Sequence, residues 1–194
     1  SVSRLALVGG DEPGVQLKRL MDEEGVEASL HVDAAISTTV KLRVIGRQQQ
    51  LLRIDFETSP SRDALLAKLS EFQRRLPEFD AVLLSDYGKG GLTHIAEMIR
   101  LARAAGKIVL VDPKGDDYSG YAGATVITPN RAELRDVVGR WKDEADLEAR
   151  ATVLRKQLDL SALLVTRSEE GMSLFRDEGT LHEKTVAREV YDVS

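Results

Sequence analysis

The chain has 194 residues, 42% of them hydrophobic and 30% charged, which suits one α/β domain with a full core, or most of a larger one. A net charge of -5 disfavours a general nucleic-acid binder, which carries a basic footprint, so any anion site must be local. With no cysteine, a disulfide framework and a thiolate metal site are excluded, and His31, His94 and His182 are too scattered for a metal-ligand pattern.

Arg4-Leu5-Ala6-Leu7-Val8 reads as a strand ending at Gly9-Gly10-Asp11, followed by a helix through Val15, Leu17, Leu20 and Met21 that stops at Gly25. In residues 38–56, Val40, Leu42 and Val44 alternate with Thr39, Lys41 and Arg43, the pattern of a strand with one wet face. A second strand runs from Leu51 to Phe56, so this stretch is expected to be a hairpin outside the main sheet. Leu65, Leu66, Leu69, Phe72 and Leu76 repeat at helical spacing. Strand 81–85, helix 92–105, strand 108–112, strand 125–128, helix 131–138, helix 143–158 and strand 162–166 follow, then a turn at Glu169-Glu170-Gly171 and a hairpin from Met172. Alternating β and α elements imply parallel strands with right-handed crossovers. The first strand has no preceding element to pair it and the last residues carry no capping signal, so both ends read as cut within a domain. No apolar stretch approaches the ~20 residues that span a bilayer, and Ser1-Val2-Ser3-Arg4 lacks a signal peptide's regions, so a cytoplasmic protein is expected.

Three aliphatic runs, suited to strands buried on both faces, each end in a polar cluster. Ligands bind such sheets at the carboxyl ends of the strands. The first cluster, Asp86-Tyr87-Gly88-Lys89-Gly90-Gly91, holds three glycines; a turn with positive φ explains one or two, and close approach to a ligand explains all three. The second, Asp112-Pro113-Lys114-Gly115, is either an ordinary strand exit or a placement of Lys114 as a point charge for phosphate. The third, Asn130-Arg131-Ala132-Glu133, is a capping box, a helix-start anion site, or both. A glutamate beside phosphate implies an intervening Mg²⁺, held through water, with Glu133 as its metal-side residue. Thr166 ends a fourth buried strand, Glu170-Gly171 reads as a tight turn, and Asp116-Asp117-Tyr118 reads as surface. Lys41 and Arg43, with Arg47 and Arg53, form either a solvated face or a contact to a phosphorylated substrate.

Together these residues resemble the ribokinase-like family of sugar kinases, and within it the bacterial heptose 7-phosphate kinases. The resemblance rests on Thr39-Val40-Lys41-Leu42-Arg43, Arg47-Gln48-Gln49-Gln50, Asp86-Tyr87-Gly88-Lys89-Gly90, Asp112-Pro113-Lys114-Gly115, Pro129-Asn130, Val165-Thr166-Arg167-Ser168-Glu169 and Tyr191-Asp192-Val193-Ser194. It implies a three-layer fold with a mainly parallel sheet and a small β lid at 38–56, all of 1–194 being part of one kinase domain. It implies transfer of the γ-phosphoryl of ATP, with Mg²⁺, to the anomeric hydroxyl of D-glycero-β-D-manno-heptose 7-phosphate, in lipopolysaccharide core synthesis. Asn130, Arg131, Ala132, Glu133, Lys114 and Thr166 are then nucleotide-side residues; Lys41, Arg43, Asp86 and Lys89 are sugar-side residues. The lid implies a homodimer. The family's catalytic base, an aspartate in Gly-Ala-Gly-Asp, is expected after Ser194, and its Gly-Gly-x-x-x-Asn sugar segment before Ser1, so no catalytic base is assigned within the chain. Kinases for another sugar, or a non-catalytic nucleotide- or sugar-binding module on this fold, are the alternatives.

Overall fold

The computed structural model describes residues 2–47 and 49–185; Gln48 and the Tyr191-Asp192-Val193-Ser194 stretch fall outside the described residues. The chain divides into two units, Ser1–Leu76 with Gly88–His94, and Pro77–Tyr87 with Ile95–Ser194.

In the first unit, β1 (Ser3–Val8) leads into α1 (Glu12–Glu23). Asp11 caps that helix by accepting the Gly14 N–H at 3.1 Å, and Gly25, at φ +67°, takes the left-handed turn beyond its end. β2 (Glu27–Val32) then runs parallel to β1 in full register. The sequence reading lacks β2, because Glu27, Ser29 and His31 interrupt a run that is only half-buried.

β3 (Val40–Gly46) and β4 (Gln49–Phe56) form the expected hairpin as a separate antiparallel sheet. Its register pairs Val40 with Phe56, Leu42 with Ile54 and Val44 with Leu52 on one face, and Lys41 with Asp55 and Arg43 with Arg53 on the other. The apolar face is uncovered: Leu42, Leu52 and Phe56 are each about half exposed.

Each leg of the hairpin is tied down by one carboxylate. On the incoming leg, Asp11 accepts the Thr38 N–H at 2.8 Å and the Thr38 hydroxyl at 2.5 Å, while that hydroxyl accepts the Gly9 N–H at 2.9 Å. A Cβ on Gly9 would lie 2.5 Å from the Ile36 carbonyl oxygen, so only glycine fits there. On the outgoing leg, buried Asp33 accepts the Ala35 and Ser61 N–H groups, both at 2.9 Å. Ser61 in turn caps α2 (Arg62–Arg75) through the Ala64 N–H at 3.2 Å. Hydrogen bonds from Thr38 hold the Asp11 carboxyl below its ordinary range, and those from Ser61 and Ala35 do the same for Asp33.

The second unit is built on a six-stranded sheet in the order β10-β9-β8-β7-β6-β5. β5 (Ala81–Ser85), β6 (Ile108–Asp112), β7 (Val126–Ile127) and β8 (Ala162–Thr166) are parallel. β9 (Met172–Arg176) and β10 (Gly179–Glu183) close the far edge antiparallel. Val109, Val111, Ile127, Leu163 and Val165 are essentially inaccessible, as unalternating aliphatic strands require. Helices α3 (Ile95–Ala104), α4 (Arg131–Val138) and α5 (Glu144–Gln157) contribute Ile99, Ala102, Leu134, Leu147 and Ala151 to the core. Burying a leucine of this kind contributes ~1.5–3 kcal/mol.

α3 begins at Ile95 rather than at 92, because Thr93 spends its hydroxyl and N–H on the Gly90 carbonyl, at 2.6 and 3.2 Å, and so stays in the loop. Tyr118 corrects the surface reading of its run: it is 2% exposed and meets Tyr121 edge-on with ring centroids 5.4 Å apart. No helix among the described residues is long and apolar enough to cross a membrane.

Candidate functional site

The parallel strands of the second unit all deliver polar groups at their carboxyl ends. β5 ends at Ser85, whose hydroxyl donates to Asp112 at 3.3 Å, and the Asp86 N–H donates to the Asp112 carbonyl at 2.9 Å. Buried Tyr121 joins the first two clusters: its hydroxyl accepts the Lys114 N–H at 3.0 Å and lies 2.9 Å from both an Asp86 carboxylate oxygen and the Lys114 carbonyl. Having one proton, it donates to one of these two at a time. Burial pushes the Tyr121 phenol up to about 12. The Tyr118 phenol is raised further, by burial first and then by the charge of Glu133.

β7 is only two residues long, so Thr128 and Pro129 leave the sheet early and Asn130 caps α4. The capping box is complete. Asn130 Oδ1 accepts the Ala132 and Glu133 N–H groups at 2.9 and 3.0 Å, and Glu133 Oε2 accepts the Asn130 N–H at 3.0 Å. Glu133 Oε1 meets the Lys114 amine at 3.1 Å. Thr166, at the end of β8, donates its N–H to the Pro129 carbonyl at 3.0 Å and bridges to Asn130 in parallel register. Asp86, Lys114, Asn130, Arg131, Ala132, Glu133 and Thr166 thus share one sheet edge.

Sequence reasoning missed the groups that stiffen this edge. The Arg167 side chain, 10% exposed, donates to both carboxylate oxygens of Glu144 at 2.6 and 2.7 Å, to Glu170, and to the Ser173 hydroxyl at 3.1 Å. Glu170 also receives Arg131 at 2.5 Å, and Arg131 lies 5.9 Å from the centroid of the Trp141 ring. Arg167 holds the Glu144 carboxyl below its ordinary range, and Arg167 with Arg131 does so for Glu170. These partners lie 23 and 39 residues apart, and no local pattern marks them. The Glu169-Glu170-Gly171 turn is a 3-10 turn over Ser168–Glu170 with Gly171 at φ +92°. Two open cavities border this network. One of about 480 Å³ is lined by Glu144, Arg167, Met172, Ser173 and His182, and one of about 620 Å³ by Asn130, Arg131, Arg135, Arg140, Trp141 and Ser168.

Lys41, Arg43 and Lys89 belong to the first unit. Arg53 grips Asp55 with two hydrogen bonds of 2.8 and 2.5 Å, and Lys89 pairs with Glu57 at 2.6 Å. The Arg53 hydrogen bonds hold the Asp55 carboxyl below its ordinary range, with Lys41 and Lys89 adding to that field. The amine of buried Lys68 donates to the Gly91 carbonyl, fixing the glycine-rich loop. Of that loop's glycines, Gly88 and Gly90 have φ of 66° and 75°, so turn geometry requires two of the three, and Gly91 has open space where a Cβ would stand.

A family model described as pfkB family carbohydrate kinase matches residues 1–194. The D-beta-D-heptose 7-phosphate kinase of Bordetella bronchiseptica is 52% identical over 193 residues, covering 100% of the chain and 62% of that protein. The bifunctional protein HldE of Shewanella loihica is 46% identical over 194 residues, with 41% of its length covered. The chain therefore spans less than two thirds of these relatives. Phosphofructokinase-2 from Escherichia coli superposes with a TM-score of 0.77 at 16% identity, covering 97% of the chain and 63% of that structure. Ribokinase from Giardia lamblia gives 0.77 at 14%, covering 97% and 61%. These two likenesses carry the fold alone, a ribokinase-like α/β fold with a mostly parallel sheet.

Proposed function

Because the chain belongs to the pfkB family of carbohydrate kinases, we propose that its protein phosphorylates D-glycero-β-D-manno-heptose 7-phosphate at the anomeric hydroxyl, using ATP. The product is the 1,7-bisphosphate, an ADP-heptose precursor for lipopolysaccharide core, made in the cytoplasm where ATP is available. The observation that carries this is the 52% identity across the full chain to a D-beta-D-heptose 7-phosphate kinase.

Phosphoryl transfer requires positioning, charge neutralisation and an oriented nucleophile. On this reading the start of α4 and Lys114 receive the nucleotide phosphates, Lys114 by sharing the charge it now gives Glu133. The donor set fits Mg·ATP: each Glu133 oxygen already has one donor and keeps a lone pair for a metal-bound water. The magnesium, when bound, neutralises charge on the phosphates being cleaved. Thr166, fixed to Asn130, borders the same ground from β8. From the family resemblance, Asp86, which Tyr121 holds, is taken as a sugar-side residue of the second unit, and Lys41, Arg43 and Lys89 of the first unit as residues for the 7-phosphate. The general base is assigned by the family resemblance to the Gly-Ala-Gly-Asp aspartate. With the full-length protein, ADP release from Mg·ATP should require heptose 7-phosphate and fail with plain heptose. Equal rates with both sugars would remove the 7-phosphate contact, and turnover confined to another sugar would overturn the assignment.

The uncovered apolar face of the hairpin supports a homodimer through the lid, with Leu42, Leu52 and Phe56 against their copies. Light scattering of the full-length protein should give a dimer, and Phe56→Asp should give a monomer. An unchanged dimer would place the interface elsewhere.

A further inference from the structure

The polar face of the β3–β4 hairpin carries an arrangement that sheet pairing alone disfavours. Arg43 stands directly across from Arg53, and like charges opposite each other destabilise a ribbon unless an anion lies with them. Asp55, opposite Lys41, supplies part of that anion by taking both arms of Arg53. Glu57, just past the end of β4, supplies the rest by taking Lys89, both of its oxygens lying 2.6 Å from the amine. Arg43, Arg53 and Lys89 against Asp55 and Glu57 leave a positive surplus on this face, which suits a phosphate monoester near neutral pH. The Lys89–Glu57 pair is also reachable, with side chains 44% and 30% exposed.

We propose that this face is a phosphate subsite kept filled by the chain's own carboxylates, and that a sugar phosphate enters by displacing Glu57 from Lys89. Asp55 stays to align Arg53, while Glu57 is the carboxylate that yields. In the exchange phosphate takes the place of Glu57 as the anion on Lys89, so that amine is not left without a counter-charge. It also raises the threshold for entry: a neutral sugar has nothing to offer Lys89, so the pair discriminates against unphosphorylated sugars. This deepens the sugar-phosphate reading above and rests on it for the identity of the sugar.

The distinguishing variant is Glu57→Gln, which keeps the shape and removes the competitor. In the full-length protein, inorganic phosphate should protect against thermal unfolding at a concentration about two- to fivefold lower than in the wild type, as expected for loss of a partly exposed ion pair. Sodium chloride at equal ionic strength serves as the control. The KM for heptose 7-phosphate should fall by the same factor. Lys89→Met should raise both values. A Glu57→Gln protein that binds phosphate equally or more weakly overturns the proposal, and so does a gain that persists undiminished when Lys89→Met is added, since that gain would come from the field of the carboxylate and not from freeing Lys89. Phosphate protection is read without turnover, so failure of the subsite and failure of the heptose assignment are told apart.

Discussion

Glu133 is the residue at which local structure and proposed chemistry make separable demands. Glutamine at this position still accepts the Asn130 N–H, so Glu133→Gln keeps the capping box and loses only the charge facing Lys114. Lys114 is about half exposed, which limits that ion pair to well under 1 kcal/mol after solvent screening. The melting temperature should therefore drop by at most about 4 °C in a domain of this size. A hydrogen bond from a metal-bound water to a carboxylate is roughly 1–2 kcal/mol stronger than one to an amide. The free Mg²⁺ concentration giving half-maximal velocity should accordingly rise about tenfold. The assay is ADP release by the full-length protein at saturating ATP and heptose 7-phosphate, with Mg²⁺ titrated and melting measured in parallel. A Mg²⁺ titration superimposable on the wild type would leave Glu133 with the cap alone and refute the metal-side role.

Asp11 and Asp33 are held below their ordinary range in the folded chain, so they contribute stability at neutral pH that is lost as pH falls below the unfolded carboxylate value near ~4 and through their folded values. Urea unfolding from pH 6 to 3 should therefore show a shallower acid loss in Asp11→Asn and Asp33→Asn, both less stable at pH 6; parallel curves would contradict this. Tyr121, raised to about 12, is expected to lose its proton late, and its contribution to stability, full below the unfolded value of ~10, disappears as pH rises through about 12. Phenolate absorbance should show part of the tyrosine signal appearing only with alkaline unfolding, and Tyr121→Phe should remove part of that late signal. Gly9→Ala should destabilise the first unit by ~2 kcal/mol or more, because its Cβ meets the Ile36 carbonyl oxygen at 2.5 Å and the Thr38 nitrogen at 2.9 Å; chemical denaturation measures it, and a neutral result would mean this loop yields.

The parts legible in the sequence are those whose cause is local. β5, β6 and β8 are aliphatic runs with no alternation, and α4 announces itself by Pro129, its Asn130 cap and Glu133, so their bounds match expectation to the residue. The hairpin shows because Val40, Leu42 and Val44 keep period two. β2 does not show, since its strand character comes from pairing with β1 rather than from its own residues. Tyr118 is read wrongly because two aspartates precede it, although the fold turns its ring inward against Tyr121. Lys114, Asn130 and Glu133 were legible as neighbours through their strand ends. The Arg167–Glu144, Arg131–Glu170 and Tyr121–Asp86 links are not, because they join groups that only the assembled sheet brings within reach.

The two fastenings of the hairpin, Asp11 on Thr38 and Asp33 on Ser61, have a consequence for engineering. Both use backbone N–H groups of the legs as donors, so neither depends on the ribbon's own side chains. The stretch from Thr39 to Pro60 can therefore be treated as an exchangeable cassette between two fixed ports. Transplanting the corresponding ribbon of a relative with a different substrate would change the face proposed to meet the sugar phosphate while its mounting stays in place.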